Sequence, residues 1–261
     1  MEIIDPHLEL DSFFSSLSNA DNRVLMLDYD GTLAPFRIGR TQALPYPGLR
    51  EILTGLIERR RTRVIVISGR PIRELVPLLG LELSLEIWGC HGLEHLLTDG
   101  TLRSSELPMK TQQGLAEVDT WVGANNLDQI SERKLSGFAF HWRGRPADEA
   151  ERMQNLILSR WKPVAAKYGL IVAEFDGGLE LRAVAAGKKH PVKRVLEETG
   201  QHSALAYLGD DITDEDAFRA LRGLGLSVLV RPERRETAAD LWIKPPEELF
   251  EFLNRWIKCG G

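Results

Sequence analysis

Apolar residues cluster in short runs at 24–27, 64–67, 86–88, 204–208 and 226–230. Most of these runs do not alternate with polar positions, as expected of strands covered on both faces. Between them the apolar positions take helical spacing. Leu49, Ile52, Leu53, Leu56 and Ile57 fall at i, i+3, i+4, i+7 and i+8. Pro71 suits the first turn of the helix that follows it. Val192, Val195, Leu196 and Thr199 form another stripe, closed by Gly200. Thr213 and Asp216 have the spacing of a capping box ahead of Ala217, Phe218 and Leu221. Pro246 opens a last helix carrying Leu249, Phe250, Leu253 and Trp256. Strands alternating with helices predict a parallel α/β sheet.

The middle of the chain reads differently. Phe138, Phe140 and Trp142 alternate with Ala139 and His141, the pattern of a sheet with one covered face. Leu115, Val118 and Val122 predict a helix before that strand, and Met153, Leu156, Ile157, Arg160 and Trp161 predict one after it. Two further runs, 170–175 and 179–183, flank the turn Asp176-Gly177-Gly178 and predict a hairpin. The expected architecture is therefore α/β: a Rossmann-like parallel-sheet core formed by 1–108 and 185–261, with an inserted α+β cap of αββαββ order at 109–184. A cleft between two such bodies is a preferred ligand site.

Composition narrows the class. With 38 acidic and 33 basic residues the net charge is −5, which argues against nucleic-acid or anionic-membrane partners. The basic run Arg59-Arg60-Arg61-Thr62-Arg63 falls where a helix ends and reads as a solvated, dipole-complementing terminus. Cys90 and Cys259 are too far apart in sequence to suggest a disulfide framework or a zinc site, so a reducing cytoplasm is expected. The N-terminal segment lacks a basic stretch followed by a long apolar one, and neither a signal peptide nor a membrane span is expected.

Candidate chemistry lies where the predicted strands end. Asp28-Tyr29-Asp30-Gly31-Thr32 follows the first run and Ser68-Gly69-Arg70 the second. Lys188 precedes the helix that starts near Pro191, and Gly209-Asp210-Asp211-Ile212-Thr213-Asp214 follows the fourth run. Ligands of open parallel sheets bind outside the carboxyl ends of the strands. Clustered carboxylates repel unless a cation holds them. The side chains of Asp28 and Asp210 and the carbonyl of Asp30 offer hard oxygen ligands for Mg²⁺, with Asp214 standing behind them. An EF-hand is a poor alternative, because neither acidic loop has the required glycine and glutamate. Ser68, backbone N–H groups at a helix start and Lys188 can hold an anion. Together these predict phosphoryl transfer through an aspartyl phosphate: Asp28 as nucleophile, Asp30 as acid and then base, Lys188 and the ion as charge stabilisers.

The order of these elements resembles the haloacid dehalogenase superfamily of phosphotransferases. Within it, DYDGTLAP at 28–35, VISGR at 66–70 and GDDITDEDAF at 209–218 resemble the trehalose-6-phosphate phosphatase family. Gly89-Cys90-His91-Gly92, the segment from Glu132 and Lys134 to Phe140-His141-Trp142-Arg143, and Glu180-Leu181-Arg182 resemble further elements of it. The resemblance implies a Mg²⁺-dependent hydrolysis of trehalose 6-phosphate. It also implies that Glu132, Lys134 and Glu180 bind sugar hydroxyls from the cap, and that Gly69, Arg70 and His91 line the cleft with Ser68. Ala183, Ala185 and Lys189 depart from the residues that family often carries around its lysine. Lys189 beside Lys188 suits a more anionic substrate, such as a glucosyl- or mannosyl-3-phosphoglycerate; sucrose phosphate is a further alternative. A non-catalytic regulatory domain of a trehalose-synthesis complex is the alternative outside enzymes. The expected partner is a phosphorylated disaccharide, and the expected state a monomer.

Overall fold

In chain order the elements begin with β1 (Glu2–Ile3), α1 (Leu10–Asn19), β2 (Asn22–Leu27), α2 (Leu49–Glu58), β3 (Arg63–Ile67), α3 (Ile72–Leu79), β4 (Glu86–Gly89), β5 (Glu94–Leu96) and β6 (Leu102–Ser104). The middle of the chain forms α4 (Met109–Ala124), β7 (Ser131–Lys134), β8 (Gly137–His141), α5 (Ala147–Tyr168), β9 (Leu170–Phe175) and β10 (Gly178–Ala183). The last part forms α6 (Lys189–Glu198), β11 (Ser203–Gly209), α7 (Glu215–Leu221), β12 (Leu226–Val230), β13 (Leu241–Ile243) and α8 (Glu247–Gly260). The computed structural model describes residues 1–37, 42–81, 84–175, 177–200 and 202–260. It divides into two units, Met1–Arg103 with Gly187–Gly261, and Ser104–Ala186.

The first unit is built on a sheet of order β1-β13-β12-β11-β2-β3-β4-β5-β6. Strands β13, β12, β11, β2, β3 and β4 pair in parallel. The chain runs outward from β2 to β3 and β4 on one side, and β11, β12 and β13 continue on the other, so the sheet reverses direction beside β2. That is the position at which open parallel sheets bind ligands.

Both faces of this sheet are covered, which is why its strands read as unbroken apolar runs. Leu25, Leu27, Val64, Val66, Ala206 and Leu208 pack on one face with residues of α1, α2, α3 and α8. Val24, Met26, Ile65, Ile67, Leu205 and Tyr207 pack on the other with Val192 and Val195 of α6 and Ala217, Phe218 and Leu221 of α7. Alternate residues of one strand thus feed two cores, each buried aliphatic side chain contributing about 1.5–3 kcal/mol. Trp256 closes the first core and donates through Nε1 to Thr62 Oγ1 at 3.0 Å.

Two local expectations are refined. Arg59, Arg60 and Arg61 are exposed just past α2, whereas Arg63 forks onto Glu86 at 2.8 and 3.0 Å. The capping box is Asp211 with Asp214, not Thr213 with Asp216, because a 3₁₀ turn at Ile212–Asp214 precedes α7 and needs the cap earlier.

The second unit follows the predicted order, with an antiparallel sheet β7-β8-β10-β9. Phe138, Phe140, Leu179 and Leu181 meet Val118 and Val122 of α4 and Ile157, Trp161 and Val164 of α5. The opposite face carries the cross-strand row Glu132, Ala139, Glu180 and Ala173. Strands β9 and β10 pair as the predicted hairpin up to Phe175 opposite Gly178; Asp176 of the expected turn lies outside the described residues. Among the described residues no helix is long and apolar enough to cross a membrane, and Cys90 and Cys259 are not joined in a disulfide.

Candidate active site

The turn after β2 is tied to its neighbours before any side chain is considered. The Asp28 amide donates to the Leu208 carbonyl at 2.8 Å, and Leu33 and Ala34 both donate to the Tyr29 carbonyl. The Tyr29 hydroxyl, fully buried, donates to the Ala43 carbonyl at 2.7 Å. Gly31 takes a left-handed φ of 84°, and a Cβ there would lie 2.2 Å from Asp210 Oδ2. Only glycine fits, because the Asp210 carboxylate occupies the space above the turn.

One oxygen each from Asp28, Asp210 and Asp214 lies within 4.8 Å of the others, and all three residues are buried. Lys188, at the residue before α6 and 3% exposed, is 2.7 Å from Asp28 Oδ1 and 2.8 Å from Asp214 Oδ1. Asp214 is saturated: Oδ1 also accepts from the Tyr207 hydroxyl at 2.5 Å, and Oδ2 accepts from the amides of Asp210 at 3.2 Å and Asp211 at 3.1 Å. Asp210 is the opposite case. It is 1% exposed, and neither carboxylate oxygen has a hydrogen-bond partner among the described residues. A buried, unpartnered carboxylate is costly unless a cation satisfies it. Oxygen donors of this kind fit a hard divalent ion.

The same crowding governs protonation. Burial raises the Asp28 carboxyl; Lys188 pulls it down and the Asp214 charge pushes it back, leaving it at about 7. Burial raises Asp210 well above the carboxylate range, with the charges of Asp28 and Asp214 adding to it. Burial opposes the Lys188 charge, but Asp214, Asp28 and Asp210 outweigh it and hold the ammonium form above its ordinary range. Tyr207 is raised too, first by burial and then by Asp214, so it stays a hydrogen-bond donor.

Ser68, Gly69, Arg70 and His91 form a second cluster around the exit of β3. Ser68 Oγ accepts the Arg70 amide at 3.1 Å, and the Ser68 carbonyl accepts the His91 amide at 3.0 Å. Cys90 and His91 both take left-handed φ, 49° and 55°. That turn lets the Cys90 amide reach the Arg70 carbonyl at 2.9 Å and the His91 carbonyl accept Gly187 N–H at 2.8 Å, just ahead of Lys188. The imidazole lies against Gly69, whose Cβ would sit 2.6 Å from His91 Nε2. Arg70 meets Asp30 as a fork, Nε to Oδ2 at 2.6 Å and Nη2 to Oδ1 at 2.7 Å. The Asp30 side chain is thus turned to Arg70 and stands apart from the Asp28, Asp210 and Asp214 triad.

In the second unit, Lys134 Nζ donates to Glu180 Oε1 at 2.8 Å, and Arg182 Nε is 3.8 Å from Glu180 Oε2. Glu132 Oε2 is 2.9 Å from His141 Nε2. The three cap residues singled out in the sequence therefore share one sheet face, with Glu132 and Glu180 on either side of Ala139, the register partner of both.

Sequence reasoning missed four residues. Tyr207 reads as an ordinary strand residue, although its hydroxyl grips Asp214. Glu215 accepts from Arg235 Nη1 at 2.5 Å, Thr237 Oγ1 at 2.7 Å and the Ala238 amide at 2.8 Å. Arg231 and Arg235 direct side chains at the Asp210 carbonyl, at 3.5 and 3.3 Å. The pair follows β12 at the same sheet edge as the motifs, and that placement was the only signal available.

The chain is similar to known proteins along nearly its whole length. A probable trehalose-phosphate phosphatase of Oryza sativa subsp. japonica is 31% identical over 261 residues, covering 90% of this chain and 69% of that protein. The UDP-forming alpha,alpha-trehalose-phosphate synthase B of Dictyostelium discoideum is 29% identical over 266 residues, covering 98% of this chain but 33% of that protein. The chain therefore spans only a third of that longer relative. In fold it is similar to the C-terminal domain of a C. albicans trehalose-6-phosphate phosphatase, with a TM-score of 0.81, 21% identity and 99% of each chain covered. Residues 26–242 match the sequence profile of the trehalose-phosphatase family, and the chain belongs to that family.

Proposed function

We propose that the chain is a Mg²⁺-dependent phosphatase that hydrolyses trehalose 6-phosphate to trehalose and phosphate through an aspartyl phosphate on Asp28. The observation that carries this reading is the buried Asp28 carboxylate, held by Lys188 at 2.7 Å beside an Asp210 carboxylate with no partner among the described residues. Asp28, Asp210 and the Asp30 carbonyl would hold the ion, with Asp214 behind them; bound there, it would offset negative charge on the phosphoryl group. The first unit supplies the phosphoryl chemistry in this reading, and the second, which the sequence places at 109–184, supplies sugar recognition through Glu132, Lys134 and Glu180.

The Asp28 carboxylate forms a bond to phosphorus as the bond from phosphorus to the sugar oxygen breaks. Lys188 keeps an ammonium beside the attacking oxygen and stabilises charge on the equatorial oxygens. Ser68 accepts the Arg70 amide and keeps its own O–H to donate to the phosphate. Asp30 gives a proton to the departing sugar oxygen and then takes one from the water that cleaves the aspartyl phosphate. Both Asp30 oxygens accept from Arg70, so for the first half-reaction the fork yields one oxygen to the proton. Gly69 and His91 shape the turn that presents Ser68 and Arg70.

The two cysteines, Cys90 and Cys259, far apart in the sequence, suit a reducing cytoplasm. The chemistry needs one copy of the chain and no nucleic-acid or membrane partner. Phosphate release measured across a panel of sugar phosphates with Mg²⁺ tests the reading. Trehalose 6-phosphate should be the preferred substrate by at least about tenfold in kcat/KM, a difference of about 1.4 kcal/mol in transition-state binding. Preference by orders of magnitude for a sugar phosphate bearing a second anionic group would refute the trehalose assignment and implicate Lys189.

A further inference from the structure

The Asp210 carboxylate is the ion ligand that no hydrogen bond orients among the described residues, so its main chain must aim it. That main chain is gripped on both sides. On the amide side, Asp214 Oδ2 accepts Asp210 N–H at 3.2 Å. On the carbonyl side, Arg235 Nε donates to Asp210 O at 3.3 Å, with Arg231 Nη1 at 3.5 Å. We propose that Arg235 and Glu215 are positioning residues for the divalent ion, fixing Asp210 through its carbonyl. The inference rests on the reading of Asp210 as an ion ligand.

Glu215 is what makes an arginine tolerable there. A bare guanidinium near the ion would compete with it for the surrounding carboxylates. Glu215 Oε1 lies 2.5 Å from Arg235 Nη1, and the Glu215 side chain is 9% exposed, so the pair is a shielded ion pair and carries little net charge towards the site. The same carboxylate accepts from Thr237 Oγ1 and the Ala238 amide, pinning the segment after β12 to the start of α7. The bracket therefore runs from the segment after β12, through Glu215, to Asp210. Arg234, the neighbouring arginine, pairs instead with Glu2 and is 49% exposed. It provides a control of equal charge without the contact.

Groups that orient ligands without touching the ion typically set metal affinity by about 10–100-fold. Calorimetric titration of MgCl₂ into the chelator-stripped full chain reads this directly. Arg235→Gln and Glu215→Gln should each raise the Mg²⁺ Kd by about 10–100-fold. Arg234→Gln should leave it unchanged. The double variant should bind no more weakly than the worse single one, because the two act as one unit. Arg235→Lys, which keeps the charge near Glu215 without the guanidinium's second branch, should fall between wild type and Arg235→Gln. At saturating Mg²⁺ the variants' KM for trehalose 6-phosphate should match wild type. An Arg235→Gln protein that is folded by circular dichroism and binds Mg²⁺ within about twofold of wild type overturns the inference, as do losses that multiply in the double variant. If Arg235→Gln does not fold, Arg235→Lys decides by the same titration: wild-type affinity overturns the inference. Wild-type protein that binds no Mg²⁺ overturns the ion reading of Asp210 and the inference with it.

Discussion

Lys188→Met should destabilise the ion-free protein severely, and the loss should shrink in acid. Lys188 is 3% exposed and lies 2.7 Å from Asp28 and 2.8 Å from Asp214. Its removal leaves the carboxylates of Asp28, Asp210 and Asp214 buried together with no cation among them. Breaking a buried pair by removing one partner costs about 3–5 kcal/mol. At roughly 2–4 °C per kcal/mol for a chain of this size, the melting temperature should fall by about 6–20 °C near pH 8 in EDTA. The sign of the pH effect follows from the carboxyls. Asp28 stands at about 7 in the folded protein against an ordinary 3.8, and burial also raises Asp210 well above its ordinary value. A carboxyl raised in the fold costs stability above its unfolded value, and that cost is relieved as pH falls through the folded value. Lys188 itself is raised and stays an ammonium from pH 5 to 8, so its own titration adds no pH dependence there. The gap between Lys188→Met and wild type should therefore narrow steadily from pH 8 to pH 5, followed by thermal melting with circular dichroism. A gap below about 1 °C at pH 8, or one that widens in acid, would refute this electrostatic account. Adding Asp214→Asn to Lys188→Met should recover part of the loss, since it removes one of the stranded charges.

Gly31→Ala places a Cβ 2.2 Å from Asp210 Oδ2 at a φ of 84°; it should cost about 1–2 kcal/mol from the backbone alone and weaken Mg²⁺ binding more than tenfold by calorimetry. Mg²⁺ at a hundred times its Kd should stabilise wild type by about 2.7 kcal/mol, or roughly 5–11 °C in melting temperature, at pH 8. At pH 5.5 the shift should be much smaller, because protons occupy Asp28, whose carboxyl stands at about 7, and compete with the ion at Asp210, which is raised too. An equal shift at both pH values would remove these carboxylates from the ion site. Glu180→Gln loses the charge that pairs with Lys134, and should raise KM for trehalose 6-phosphate about tenfold or more while leaving p-nitrophenyl phosphate turnover within about twofold.

The elements most legible in the sequence are those buried on both faces or packed on long stripes. The runs at β2, β3, β11 and β12 are apolar because alternate residues face different cores, as Leu25 and Met26 do. The strands that escaped notice are β1, β5, β6 and β13, two or three residues each, too short for periodicity to register. Helix α1 escaped for another reason: Ser12, Ser15, Ser16, Ser18 and Asn19 obscure its apolar stripe, and Glu9 makes no side-chain cap. The acidic motifs announced the triad, since carboxylates clustered at strand ends need a cation. Partner choice was not legible. Nothing in the spacing says that Arg70 forks onto Asp30, or that Arg235, far along the chain, reaches back to Asp210. Such contacts depend on which loops the sheet order brings together, which local pattern does not encode.

The central claim is that Asp28 carries the phosphoryl group. Asp28→Asn keeps the size of the side chain and its place 2.7 Å from Lys188 while removing the nucleophilic charge. Incubated with Mg²⁺ and trehalose 6-phosphate, wild type should release phosphate, and a brief acid quench should trap a phosphorylated peptide containing Asp28. Folded Asp28→Asn protein should do neither, its kcat falling by at least about 10³-fold, a barrier increase of about 4 kcal/mol. Turnover by Asp28→Asn within tenfold of wild type, or a trapped phosphoryl group on any other residue, would contradict the account.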